Sequence, residues 1–242
     1  MKIVIKIGTS TLAHSTGHLN IRHIEHLCKV ISDLKNAGHE IILVSSGAIG
    51  MGVGKLGLKG KPTDIETKQA AAAIGQCELM YTYDKLFNEY NHNIGQILIT
   101  APDVDDEKRR HNFENTLFRL LELGVIPVIN ENDTVSVEEI EIGDNDTLSA
   151  IVAVSVKADL LVLLSDIDGL YTADPRKDKN AVKISSITYK EILSKGLQAM
   201  DSTATSFAMD NNISIHVFGL DNCENIYKVI MGAEMGTVVK GE

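Results

Sequence analysis

"IRHIEHLCKVISDLKNAGHEIILVSSG", Ile21 to Gly47 of the 242-residue chain, decides the fold class. Ile24, Leu27, Ile31 and Leu34 recur at helical spacing, Ala37-Gly38 supplies a stop, and Glu40 to Val44 then reads as a buried strand. Upstream, Lys2 to Ile7 is rich in β-branched residues and ends in the small-residue turn Gly8-Thr9-Ser10. The two runs and the helix between them make a β-α-β unit. Downstream the alternation continues with a helix around Glu66 to Tyr90, a strand from Gly95 to Ile99, a helix around Arg109 to Leu123 and a strand from Val125 to Ile129. A helix from Thr147 to Val156 and apolar strands at Asp159–Leu164 and Ile213–Phe218 complete the series. Such alternation implies an α/β chain with a mainly parallel open sheet covered by helices on both faces. Ligands of such sheets gather beyond the carboxyl ends of strands, so the residues there carry the chemistry.

Composition narrows the function classes. A chain of this length with 44% hydrophobic residues builds one large domain or two tightly joined lobes. Its formal charge is −10, and the lysines and arginines are scattered, which argues against a nucleic-acid partner. Cys28, Cys77 and Cys223 are odd in number, far apart and in no C-x-x-C arrangement, so neither a disulfide framework nor a zinc site is expected. The amino terminus enters a strand directly, and no segment reaches the ~20 apolar residues of a membrane span. A reducing cytoplasm without membrane attachment is the expectation.

Four strand ends stand out. Lys6 precedes Gly8, Thr9 and Ser10, whose backbone N–H groups can face an anion beside the ammonium; the alternative is an edge lysine before a tight turn. Ser45-Ser46-Gly47 opens a run of glycines that permits positive φ and close approach to a small ligand, or serves as a flexible connector. After "VIPVI" come Asn130, Glu131, Asn132 and Asp133, then a strand-like run through Glu138, Glu139 and Glu141, then Gly143-Asp144-Asn145-Asp146. Such groups can bind an α-ammonium, accept from backbone N–H or hold Mg2+ through water, or they can simply form an Asx-capped acidic hairpin. In "LLSDIDGLYTADPRKD", Ser165 and Asp166 end a strand and Gly169 permits a turn. Tyr171 with Asp174-Pro175 then offers either a wall for a purine and ribose or a proline-terminated surface turn.

Together "KIGTS", "SSGAI", "KQAAAAIGQ", "QILIT", "PVINENDTVS", "GDNDTLSA" and "SDIDGLYTADP" resemble the glutamate 5-kinases of the amino acid kinase superfamily, over roughly Met1 to Lys183. The resemblance implies a three-layer α-β-α fold, ATP and Mg2+ as cofactors, L-glutamate as small-molecule partner, and phosphorylation of its γ-carboxylate as the first step of proline synthesis. It also implies self-association. By the same resemblance Lys6 contacts phosphate, with the N–H groups of Gly8 and Thr9 beside it, and Asp146 organises that lysine. Ser46 and Gly47 belong to the acceptor site, where Asp133 and Asn145 hold the glutamate backbone groups. Ser165, Asp166, Gly169, Tyr171 and Asp174 form the nucleotide-binding loop. No residue is assigned to a protein-held metal site.

The tail departs from this pattern. Glutamate kinases carry a GTGGMxTK-type segment whose lysine assists the transferring phosphoryl group, whereas "LQAMDSTATSFAMDNNISIHVFGL" has neither the glycine pair nor the lysine. Residues 184–242 instead resemble bacterial UMP kinases, in which the aspartate of the MD pair, here Asp201, lies near the phosphates. The expectation is one kinase domain of hybrid character, with an acceptor part over 1–183, a nucleotide-side part over 184–242 and no appended RNA-modification-type domain. UMP-kinase acceptor signatures, a GGGN-x-x-RG loop and a GTGNPFFTTD-like stretch, are missing. Lys190 and Lys195 are candidates for the absent second cation, with solvated helix positions as the alternative. A nucleotide kinase acting on UMP, or a module binding ATP or an amino acid with little turnover, are the competing functions.

Overall fold

The computed structural model describes residues 1–14, 18–60, 62–136, 145–197, 200–219 and 223–241. The expected strand-like run through Glu138, Glu139 and Glu141, together with Asp144, lies outside them. The chain divides into two units, Ile7–Asn145 and Met1–Lys6 with Asp146–Glu242. It passes from one to the other within β1 (Lys2–Ile7) and again between Asn145 and Asp146.

In Ile7–Asn145 the order is α1 (Thr9–Leu12), α2 (Ile21–Asn36), β2 (Glu40–Ser45), α3 (Ala48–Leu56), α4 (Ile65–Asn88), β3 (Ile94–Ile99), α5 (Ala101–Asp105), α6 (Glu107–Glu122) and β4 (Ile126–Glu131). Asn20 caps α2 by accepting from the His23 N–H at 3.4 Å, and Gly38 at φ 92° turns the chain after it. The stripe Ile24, Leu27, Ile31 and Leu34 is fully buried, as its spacing predicts. Strands β3, β4 and β2 lie side by side in that order, all parallel. Only Glu40 of β2 is exposed, which is why the run reads as continuously apolar rather than alternating.

The glycine run after β2 differs from the sequence expectation. Gly47 does take positive φ, 100°, but Gly50, Gly52 and Gly54 lie inside helix α3. Their use is proximity. A Cβ on Gly52 would sit 1.8 Å from the Ala71 carbonyl oxygen, and one on Gly75 would sit 1.7 Å from that of Ala48. Two helices thus touch backbone to backbone, which no other residue type allows.

The second unit contains β1, α7 (Asp146–Ser155), β5 (Leu160–Ser165), β6 (Leu170–Tyr171), β7 (Lys183–Ile184), β8 (Ser186–Thr188), α8 (Tyr189–Lys195), α9 (Ser202–Asp210), β9 (Ile215–Gly219), α10 (Glu224–Ile230) and β10 (Thr237–Lys240). Its strands run β1-β5-β9-β10-β8, parallel except for β9 against β10. β6 and β7 form a separate antiparallel ribbon. Ile3, Val4, Ile5, Leu161, Val162 and Ile215 are buried; each such side chain contributes about 1.5–3 kcal/mol of hydrophobic stabilisation. The α/β class with mainly parallel strands is therefore as the alternation requires. Among the described residues no helix is long and apolar enough to cross a membrane.

Candidate functional site

β4 runs two residues further than the apolar run suggests, so Asn130 and Glu131 belong to the strand and Asp133 follows in the turn. Asn130 sits at the centre of a buried amide chain. Asn145 Nδ2 donates to Asn130 Oδ1 at 2.9 Å and to Ser46 Oγ at 3.0 Å. The Glu131 backbone N–H donates to the same Asn130 oxygen at 2.9 Å, and Asn130 Nδ2 donates to Gln76 Oε1 at 3.0 Å. Ser46 is held from behind by its own N–H, which donates to the Ile7 carbonyl at 2.9 Å. Ser45 Oγ pairs with the Tyr83 hydroxyl at 3.0 Å, whose burial pushes the phenol's pKa upward. Ser46, Asn145 and Asp133 all lie in the unit Ile7–Asn145, where Asn145 bonds Ser46 directly, and Gly47 makes the turn between Ser46 and α3.

A cavity of about 330 Å³ opens beside this chain, lined among others by Ala48, Ala72, Gln76, Leu98, Glu131 and Asp133. Gln76 and Asp133 are 8% and 5% exposed. Each keeps one buried polar atom, Nε2 and Oδ1 respectively, without a hydrogen-bond partner among the described residues. Burial first, and the neighbouring Glu131 second, raise the Asp133 carboxyl to about 6. Leaving such atoms unanswered costs about 1–3 kcal/mol each, and both belong to residues that line the same cavity. Gln76 was not singled out from sequence. The available signal was a glutamine at helical spacing from Ala72 and Leu79, a polar side chain on an otherwise apolar stripe.

In the second unit Lys6 Nζ lies 3.1 Å from Asp146 Oδ1, both side chains largely buried. Asp201 caps α9, accepting from the Ala204 N–H at 2.8 Å, while its other oxygen accepts from Thr147 Oγ1 at 3.0 Å. It therefore ties α9 to the residue after Asp146. Gly8, in the other unit, has an ordinary φ of −77° and precedes the single turn of α1, which begins at Thr9.

The expected nucleotide loop is a set of exposed ion pairs. Asp166 accepts from Arg176 at 2.9 Å, and the Tyr171 hydroxyl donates to Asp168 at 2.6 Å. Lys183 reaches Asp168 at 2.8 Å, and Lys177 lies 3.7 Å from Asp174. Ser165 Oγ accepts weakly from the Ile167 N–H at 3.3 Å. Gly169 has φ 145°, and a Cβ there would meet Thr237 Oγ1 at 2.8 Å. Arg176 and Asp168 were both passed over in sequence. Lys195 pairs with Glu191 of its own helix at 3.3 Å, and Lys190 is exposed.

The amino acid kinase family model matches residues 1–219. Glutamate 5-kinase of Clostridium acetobutylicum is 49% identical over 249 positions, covering 98% of this chain and 93% of that protein. The enzyme of Listeria welshimeri is 46% identical over 253 positions, with 98% and 92% covered. Both alignments are longer than the 242-residue chain, so each contains positions where the relative has residues and this chain has none. In structure, UMP kinase of Bacillus anthracis superposes with TM-score 0.75 at 19% identity, covering 100% of this chain and 96% of that one. UMP kinase of Ureaplasma parvum gives 0.73 at 20%, with 99% and 98% covered. Those superpositions are not confined to the tail, and at such identities they establish the fold. Sequence identity of nearly one half along almost the whole chain establishes more: the chain belongs to the glutamate 5-kinases of the amino acid kinase family.

Proposed function

We propose that the chain transfers the γ-phosphoryl group of ATP to the side-chain carboxylate of L-glutamate, giving glutamyl 5-phosphate and ADP for proline synthesis. A carboxylate oxygen attacks the γ-phosphorus, the bond to the β–γ bridging oxygen breaks, and that oxygen leaves with ADP. Two anions must meet, so alignment and positive charge supply most of the rate. Lys6, organised by Asp146, would neutralise phosphate charge, and the N–H groups of Gly8 and Thr9 would contact the transferring group. Ser46, Gly47, Asp133 and Asn145 would hold the acceptor, and Ser165, Asp166, Gly169, Tyr171 and Asp174 the nucleotide. In this reading the whole chain is one kinase domain whose residues 184–242 serve the nucleotide. Cytoplasmic location and self-association accompany it.

The observation that carries this reading is Asp133. A carboxylate buried at the wall of a small cavity, with an unanswered oxygen and a raised pKa, fits a ligand that brings its own cation, and the α-ammonium of an amino acid is one. Mg2+ would shield the phosphate charge when bound. Among the described residues no group of three or more His, Cys, Asp or Glu could hold a metal. That donor set fits an ion carried largely by phosphate oxygens and water, for which one or two carboxylates suffice; Asp201 would be the one to meet it. Hydroxylamine trapping with ATP, Mg2+ and glutamate tests the proposal. Hydroxamate is expected with glutamate. ADP release with UMP instead, or binding of both ligands without product, would replace the reading by a nucleotide kinase or a binding module.

A further inference from the structure

We infer that Gln76 reads the α-carboxylate of the acceptor amino acid, donating from Nε2 and so selecting a free α-carboxylate over an α-amide. The inference rests on the acceptor reading above and deepens it by assigning a specificity residue. Amide orientation is the first step. Asn130 Oδ1 receives two donors, Asn145 Nδ2 and the Glu131 N–H, both at 2.9 Å, so the Asn130 amide is fixed with its Nδ2 toward Gln76. That nitrogen is 3.0 Å from Gln76 Oε1. Flipping Gln76 would set two amide nitrogens against each other. Its Nε2 is therefore the atom left over, buried and without a partner among the described residues, on a side chain that lines the cavity.

Rigidity is the second step. Gln76 follows Gly75, the point at which α4 touches the Ala48 backbone of α3, and Ala48 and Ala72 line the same cavity. A donor on so fixed a helix discriminates by polarity rather than by adjusting. The third step is stereochemical. In an α-amino acid the ammonium and carboxylate share one carbon, so the residues that supply an acceptor for the first and a donor for the second must line one cavity. Asp133 and Gln76 both line it, and each carries a buried polar atom, Oδ1 and Nε2, without a partner among the described residues. An α-amide can turn its carbonyl oxygen to the same Nε2, but that oxygen is a neutral acceptor where the carboxylate makes a stronger, charge-assisted hydrogen bond, so the amide is held less tightly.

The test uses Gln76→Glu and Gln76→Met, with glutamate and its α-amide as acceptors; both keep the γ-carboxylate and give hydroxamate. Gln76→Glu retains an acceptor for Asn130 Nδ2 but reverses the polarity toward the ligand. It should raise KM for glutamate by about 100-fold with little change in kcat, and shift the ratio of kcat/KM values toward the α-amide. Gln76→Met should raise KM without the shift. Calorimetric binding of the two compounds to wild type and Gln76→Glu gives the same comparison without turnover. An unchanged glutamate-to-amide ratio in Gln76→Glu, or a loss confined to kcat, overturns the inference. A wild-type protein that binds glutamate in preference to its α-amide yet makes no hydroxamate overturns the kinase reading instead.

Discussion

Carboxylates in the two units meet water in opposite ways. Asp133 is buried with one oxygen unanswered and its carboxyl raised to about 6, whereas Asp166, Asp168 and Asp174 sit on an exposed loop, each beside a cation. A buried group without its partner stores free energy that only a matching ligand releases. An exposed pair is worth at most about 1 kcal/mol and is screened by salt, so it can exchange partners freely. Under the proposed function the first arrangement suits a selective acceptor site, and the second suits a loop that rearranges around a charged nucleotide.

Lys6 and Asp146 combine the two conditions, being buried and paired, and the largest effect is expected there. Lys6→Met removes the cation 3.1 Å from a largely buried carboxylate and should destabilise the fold by about 3 kcal/mol while lowering turnover about 1000-fold. The double variant with Asp146→Asn removes both charges. Denaturant titration should show stability largely restored and the hydroxamate assay should show turnover still lost. Recovery of both together would make the pair a structural device and erase its distinction from the loop pairs.

Asp133 comes next. Its folded pKa lies above the ordinary carboxylate value, so the folded protein binds the proton more tightly than the unfolded chain does. The stability this contributes is complete below about pH 4 and is lost as pH rises through about 6. Asp133→Asn should therefore raise the melting temperature of the ligand-free protein at pH 8 by roughly 2–8 °C, corresponding to about 1–2 kcal/mol, with little gain at pH 4. The same variant should lose about 100-fold in kcat/KM for glutamate. In the wild type, KM for glutamate should climb as pH falls below about 6, because a protonated carboxyl no longer attracts an ammonium. A flat KM across that range would show that the buried carboxylate does not meet the substrate's charge.

The strands were legible because β2, β4 and β5 are largely continuous apolar runs; Asp133 was conspicuous as a polar group soon after such a run, and Asn145 as part of the cluster of small and polar residues at 143–146. Gln76 was hidden because its meaning depends on Asn130, 54 residues away, and sequence shows no hydrogen bond across that separation. The glycines after β2 were misread for a related reason. Positive φ and close helix contact both call for glycine, and only the packing of α3 on α4 separates Gly47 from Gly52. Between Ser165 and Asp174 the residue types were visible, but the pairing of Asp166 with Arg176 and of Asp168 with Lys183 was not.

Arg176 supplies the smallest expected effect and the sharpest use of the comparison. It faces Asp166 at 2.9 Å and Asp174 at 4.0 Å, and 62% of its side chain is exposed. Removal by Arg176→Ala should change stability by no more than about 1 kcal/mol and KM for ATP by no more than about fivefold, with the difference fading at high salt. The resemblance to glutamate kinases implies a second lysine near the transferring group, and the segment 197–220 has none, so under the proposed function another cation would serve there. Should Arg176→Ala instead cost turnover as much as Lys6→Met does, the exposed loop would be supplying that charge, and its open ion pairs would be a resting arrangement from which Arg176 is recruited when nucleotide binds.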